Sequence, residues 1–176
     1  GSGASVQFDG MTCPLQRVHF HAPSEHVVAG ERADLEVHLV HEIPQYPEAY
    51  ASAYLVVAVL LSVGPATARA GASALPLGEW LQRRLSARPG APQPANPGDN
   101  PLPRPPADPL RLPLPDFLPA DLAYYRYEGS LTTAPFDELV TWVVLRERAA
   151  LDDERTLKIE LGTLLGMRLV QPLDRR

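Results

Sequence analysis

The chain has 176 residues, 45% hydrophobic and 21% charged, which is one globular domain's worth of length and enough apolar content for a sizeable core. A formal net charge of −5 and sixteen basic residues scattered without a stripe exclude nucleic acid and an anionic membrane surface as expected partners. The longest apolar run, residues 54–61, is far short of the roughly 20 residues a membrane-spanning helix needs, so no membrane span is expected. Cys13 is the only cysteine, which rules out an internal disulfide and reads as a small, half-buried thiol. The chain opens on Gly1-Ser2-Gly3-Ala4 without a basic segment followed by an apolar one, so the compartment is not legible from targeting and the start reads as processed or trimmed.

In chain order, Val6 to Phe8 reads as a short strand, Asp9-Gly10 as a turn and Leu15 to His21 as a longer strand. Ala29-Gly30-Glu31-Arg32 is turn-like, and Leu35 to His41 forms a second strand, expected to lie antiparallel to the first. Glu42 to Ala51 is a polar, proline-interrupted connection. Tyr54 to Val63 is rich in β-branched residues and reads as a buried strand. Helical spacing of Leu77, Trp80, Leu81 and Leu85 predicts a short amphipathic helix over 75–85, there for packing. Residues 88–119 carry prolines too densely for helix or sheet, since each fixes its own φ and lacks an amide donor, so they form a surface loop. The chain then resumes over 122–127, enters a buried strand over Val140 to Leu145 that contains Trp142, and is expected to form a helix over 151–165, with acids early and Lys158 late.

The chemistry concentrates in the two early strands. Alternation puts His19 and His21 on one face of the first, with Val18 and Phe20 on the other. The second carries Glu36, His38 and Val40 on one face and Leu35, Val37 and Leu39 on the other, so antiparallel pairing can bring His38 across to the pair. Three neutral imidazoles without a fourth protein ligand are what a catalytic zinc needs, because the open position holds a water whose pKa falls to about 7. The competing reading is a set of partly buried, hydrogen-bonded histidines.

Beyond single residues, His19-Phe20-His21-Ala22-Pro23-Ser24-Glu25-His26 followed by Glu36-Val37-His38-Leu39-Val40-His41 resembles the alpha-class carbonic anhydrases. Tyr127-Glu128-Gly129-Ser130-Leu131-Thr132-Thr133-Ala134-Pro135 resembles the same family's second signature, in the right order. The resemblance implies a mainly β fold: a large, mostly antiparallel twisted sheet with a few short helices and a metal at its centre. It implies Zn2+ on His19, His21 and His38, and reversible hydration of carbon dioxide to bicarbonate and a proton by zinc-bound hydroxide. Thr132 would orient the attacking oxygen while donating its hydroxyl proton to Glu25, and Thr133 would contact bicarbonate. Glu36 would accept from His38 and fix its tautomer, and Val40, Val56 and Leu131 would line the apolar wall beside the metal, although core packing explains Val56 equally well.

Departures from the pattern qualify what is implied. The family usually has Gln two residues before the first ligand, where its amide oxygen accepts the ligand's free ring N–H; here Gln16 is one place early and Arg17, all donors, stands in the slot. The family's frequent disulfide is absent, Phe136 standing at the second cysteine's place. The sequence begins inside the usual domain, so residues 1–176 are expected to be one such domain lacking its N-terminal part, with 88–119 an enlarged loop inserted in it. A protein partner or an unseen segment would then complete that side of the sheet. His26 and His41 resemble structural positions, which leaves no histidine to shuttle protons and implies slowed turnover. The alternative is therefore a carbonic-anhydrase-like subunit of a larger assembly with little or no activity; weak zinc esterase activity would be a by-product of the same chemistry. Secretion or an organelle lumen is implied by the resemblance alone.

Overall fold

The computed structural model describes residues 4–44, 46, 51–63, 118–151 and 168–171. Among them lie the strands β1 (Ser5–Phe8), β2 (Met11–His21), β3 (Val27–Val28), β4 (Glu31–Arg32), β5 (Leu35–Glu42), β6 (Tyr54–Val63), β7 (Tyr124–Gly129), β8 (Val140–Leu145) and β9 (Ala149–Leu151). The expected helix over 75–85 and most of the proline-rich loop over 88–119 fall outside the described residues. So does the expected helix beyond Leu151, a residue that itself ends β9.

The sheet runs β1-β2-β5-β6-β8-β7, with β9 also beside β6 and β3-β4 forming a separate small pair. As expected for a mostly antiparallel sheet, every pairing is antiparallel except those of β6 with β8 and β9. Two hairpins share one turn chemistry. Asp9-Gly10 between β1 and β2 and Ala29-Gly30 between β3 and β4 all have positive φ, which matches the twist of the flanking strands and is easiest for glycine. The second hairpin corrects the sequence expectation at this point: Glu31 and Arg32 belong to a strand pairing with Val28 and Val27, and only Ala29-Gly30 makes the turn.

Period-2 alternation sorts the side chains into two layers. On one side Phe20, Leu35, Val37, Leu39, Val59, Leu61 and Leu145 pack together. On the other side Val40, Val56, Ala58, Leu60, Val140, Trp142 and Val144 pack together, with Leu131 against them. The central strands β5, β6 and β8 are covered on both faces, which explains why they read as nearly unbroken Val/Leu runs. Cys13 has no exposed surface and sits with Phe8, Met11, Ile43 and Leu55, so it is a core residue rather than a half-buried thiol; burial pushes its pKa up.

One irregularity in β2 matters for the site. Leu15 pairs with His41 and Arg17 with Val40, so Gln16 is the extra residue of a β-bulge. The bulge breaks the alternation, so Leu15 packs on the same layer as Val18 and Phe20. Downstream of the bulge the alternation is regular, and Arg17 shares the face of His19 and His21 as expected.

His41 lies at the opposite side of the sheet from His38's face, 5% exposed. Burial pushes its pKa down, with the backbone of Leu55 and Leu39 acting partly against that shift. A depressed histidine is neutral in the fold and takes up a proton on unfolding, so the stability it contributes is complete above the unfolded pKa of about 6.5 and is lost as pH falls below it. Denaturant titrations in chelator at pH 7, 6 and 5 should therefore show stability falling with pH. In His41→Gln the slope should flatten by up to about 1.4 kcal/mol per pH unit, the limit for one proton; parallel slopes would contradict the assignment.

Candidate metal centre

Register places the three histidines. β2 pairs His19 directly with His38 and His21 with Glu36, so one short stretch of two neighbouring strands puts all four side chains on one face. The ring centroids lie 5.0 Å apart for His19 and His21, 4.9 Å for His19 and His38, and 4.7 Å for His21 and His38. One nitrogen from each ring falls within 4.8 Å of the others, and His19 Nε2 stands 3.2 Å from His38 Nδ1.

The tautomer of His38 follows from its partner. Its Nε2 donates to Glu36 Oε1 at 2.6 Å, and a carboxylate only accepts, so the proton sits on Nε2 and the Nδ1 lone pair faces the other two rings. Glu36 is fully buried and holds two further donors: His26 Nδ1 at 2.5 Å and the His26 amide at 2.8 Å. Burial pushes the Glu36 carboxyl up, but the hydrogen bonds from His26 and His38 outweigh it and hold the group well below the usual carboxylate range. His26 Nε2 in turn meets the Tyr127 hydroxyl at 2.7 Å.

His19 is neutral for a different reason. Burial first, then repulsion from neighbouring His38, Arg17 and His21, lower its pKa to about 2. Neutral imidazole is the ligand form, and three converging imidazole nitrogens with no carboxylate among them make a donor set suited to zinc. The residues present fit that ion.

The rest of the predicted set divides into what the structure gathers and what it does not. Val40, Val56 and Leu131 belong to one apolar cluster with Trp142, on the face of β5 that carries His38. Glu25 and Thr132 both border a cavity of about 360 Å³ together with His26, Tyr127, Trp142 and Arg168. They are not joined: no hydrogen bond links them among the described residues. Instead Glu25 Oε1 accepts from the Arg168 amide at 2.6 Å, and Oε2 lies 3.4 Å from His21 Nε2. Thr133 is exposed, and its carbonyl accepts from the Phe136 amide in a turn.

Sequence reasoning missed the support around these groups. Arg168 ties Glu25 to the Leu131 loop: its guanidinium donates to Ser130 Oγ at 2.9 Å and to the Leu131 carbonyl at 3.3 Å, and lies 4.1 Å over the Phe136 ring. Trp142 packs edge-on to both His26 and His38 at 4.9 Å and donates from Nε1 to the Ser130 carbonyl. Gly129 must lack a side chain, since a Cβ there would stand 2.8 Å from the Tyr127 ring and 3.0 Å from Trp142. The visible signals were a lone arginine in the closing segment and an aromatic at a buried position of β8.

Residues 100–164 match the family model of the eukaryotic-type carbonic anhydrases. A carbonic anhydrase from Neisseria gonorrhoeae is 31% identical over 99% of this chain and 58% of its own length. The alpha-carbonic anhydrase of Thermovibrio ammonificans, solved with the inhibitor sulfanilamide, superposes with a TM-score of 0.68 at 30% identity, covering 97% of this chain and 64% of that one.

The chain belongs to the alpha-carbonic anhydrase family. It is also similar to a dioscorin, DB3S of Dioscorea polystachya, at 31% identity over 91% of this chain and 50% of that protein. The chain thus spans about half the length of the curated relatives it matches. Its fold is strand-rich, and its histidine cluster sits on the neighbouring strands β2 and β5 of the sheet.

Proposed function

We propose that this alpha-carbonic anhydrase chain is a zinc enzyme that reversibly hydrates carbon dioxide to bicarbonate and a proton, with His19, His21 and His38 holding the ion. The observation that supports this reading is the convergence of three ring nitrogens, one of which has its lone pair aimed inward by Glu36. Held by these three imidazoles, zinc would supply Lewis-acid chemistry that lowers the pKa of a water to about 7 and so a nucleophile at neutral pH.

The chain's own side chains do the rest. Glu36 keeps the proton of His38 on Nε2 and so keeps Nδ1 available. Val40, Val56 and Leu131 offer carbon dioxide an apolar wall, which suits a substrate with no net dipole. Thr132 orients the attacking oxygen by donating its hydroxyl proton to Glu25 and accepting the nucleophile's, while Thr133 contacts bicarbonate. Oε2 of Glu25, 3.4 Å from His21 Nε2 and without a hydrogen-bond partner, is the oxygen that would accept from Thr132. In this reading residues 1–176 act as a single domain, and 88–119 is an insertion within it.

A second reading, a carbonic-anhydrase-like subunit with little or no activity that serves a larger assembly, draws on two observations. Glu25 is engaged by His21 and Arg168 rather than Thr132, and Arg17 faces the site where an acceptor belongs. One experiment separates the two. Protein reconstituted with zinc should hold about one equivalent, hydrate carbon dioxide in a stopped-flow indicator assay, and stop when an aromatic sulfonamide is added. A fully zinc-loaded chain that is inert, and that purifies with a stable partner, would favour the second; a well-folded chain that takes up no zinc would end the first.

A further inference from the structure

Among the buried polar atoms of the described residues that have no hydrogen-bond partner are Nε of Arg17 and Nδ1 of His19, both beside the metal centre. They belong to residues two apart on the same face of β2, downstream of the bulge at Gln16. The bulge carries the one nearby amide away, for Gln16 donates from Nε2 to Glu42 Oε2 at 2.9 Å in an exposed pair.

The chemistry of the mismatch is direct. His19 turns Nε2 toward His38 Nδ1, so when Nε2 serves a metal the ring proton must sit on Nδ1 and Nδ1 must donate. Arg17 has five donors and no acceptor, and its Nε is held inside, not carried to solvent. The ring is thus left without an acceptor to fix its orientation, beside a cation that repels a divalent ion. A metal-ligating histidine otherwise gives its second N–H to a carboxylate, a carbonyl or water, and loss of such a partner typically weakens the site about 10–100-fold.

We propose that Arg17 is a positioning residue that detunes the centre, making His19 the weakest of the three ligands and setting zinc affinity below what the triad alone would give. This rests on the zinc reading above. Arg17 acts through His19, without touching substrate.

The test is zinc affinity by chelator competition for the full chain and two variants. Arg17→Gln removes the cation and supplies an amide oxygen; Arg17→Met removes the cation and supplies nothing. Expected is an affinity at least about tenfold tighter in Arg17→Gln than in the parent, with Arg17→Met gaining less. The Gln-over-Met difference isolates the acceptor from the loss of charge and from any shared effect on folding, which denaturant melts in chelator would register. Nitrogen NMR of the zinc-loaded His19 ring should show a protonated Nδ1 in every variant and slower exchange of that proton in Arg17→Gln. Equal affinities in parent and Arg17→Gln would overturn this inference and leave the functional reading standing. A chain that takes up no zinc with arginine, glutamine or methionine at position 17 would overturn both.

Discussion

Changing His38 to alanine will remove zinc and carbon dioxide hydration together. Of the three proposed ligands His38 is held most firmly: it lies on a central strand, is 1% exposed, donates Nε2 to Glu36 and packs on Trp142. Structural zinc in four-ligand sites binds with apparent free energies of about 10–16 kcal/mol, so one ligand in such a set is worth roughly 3–4 kcal/mol, or a few hundredfold in affinity. With three protein ligands the loss cannot be shared among many, and hydration should fall at least as far as the zinc does. The measurements are chelator competition for the ion and stopped-flow hydration at a fixed total zinc. Melts in chelator separate this effect from folding, because the metal-free variant loses a buried ring and should be weaker by roughly 2–4 kcal/mol. Hydration that persists in the variant at the parental rate would mean that position 38 does not serve the reaction.

Parts of this site were legible because β-strand alternation is a rigid rule. Once Val18-His19-Phe20-His21 and Glu36-Val37-His38 are strands, each histidine's face is fixed, and observed pairing of His19 with His38 needs only a register. The hairpin logic also carried, as with Asp9-Gly10, because few residues accept positive φ. What failed to read from the sequence depends on events that are not periodic. Arg17 behind His19 was legible from alternation, but the bulge at Gln16, which brings Leu15 onto the layer of Val18 and Phe20, was not, since nothing in the local pattern marks one residue as extra. Parallel pairing of β6 with β8 was invisible because alternation reports a face and not a neighbour. Ala29 at positive φ hid the β3-β4 hairpin, since a non-glycine residue rarely signals that turn. The Glu25 contacts with Arg168 and His21 were out of reach for a further reason: Arg168 is separated from Glu25 by most of the chain, and which donors a buried carboxylate meets is decided by tertiary packing.

Glu36 is the second residue whose loss should be large, and it should register in stability before it registers in chemistry. One carboxylate with no exposed surface accepts from the His26 amide, His26 Nδ1 and His38 Nε2. Glu36→Ala leaves three donors without an acceptor in a space walled by Trp142 and the sheet. An orphaned buried donor costs about 1–3 kcal/mol, so even with partial rehydration of His26 the variant should lose about 3–5 kcal/mol, the range for breaking a buried charged contact. Glu36→Gln is nearly isosteric and keeps one acceptor, but its NH2 must face either the His26 amide, where Oε2 now accepts, or the two ring N–H groups that share Oε1, so it should lose less stability while zinc affinity still falls roughly 10–100-fold. A neutral amide oxygen holds the His38 proton on Nε2 less firmly than a carboxylate does, and its move to Nδ1 closes the lone pair the metal needs. Denaturant melts in chelator and chelator competition on both variants read the two effects separately. If Glu36→Gln binds zinc as tightly as the parent, the carboxylate is only a filler of buried space, and the tautomer of His38 must be set by something else.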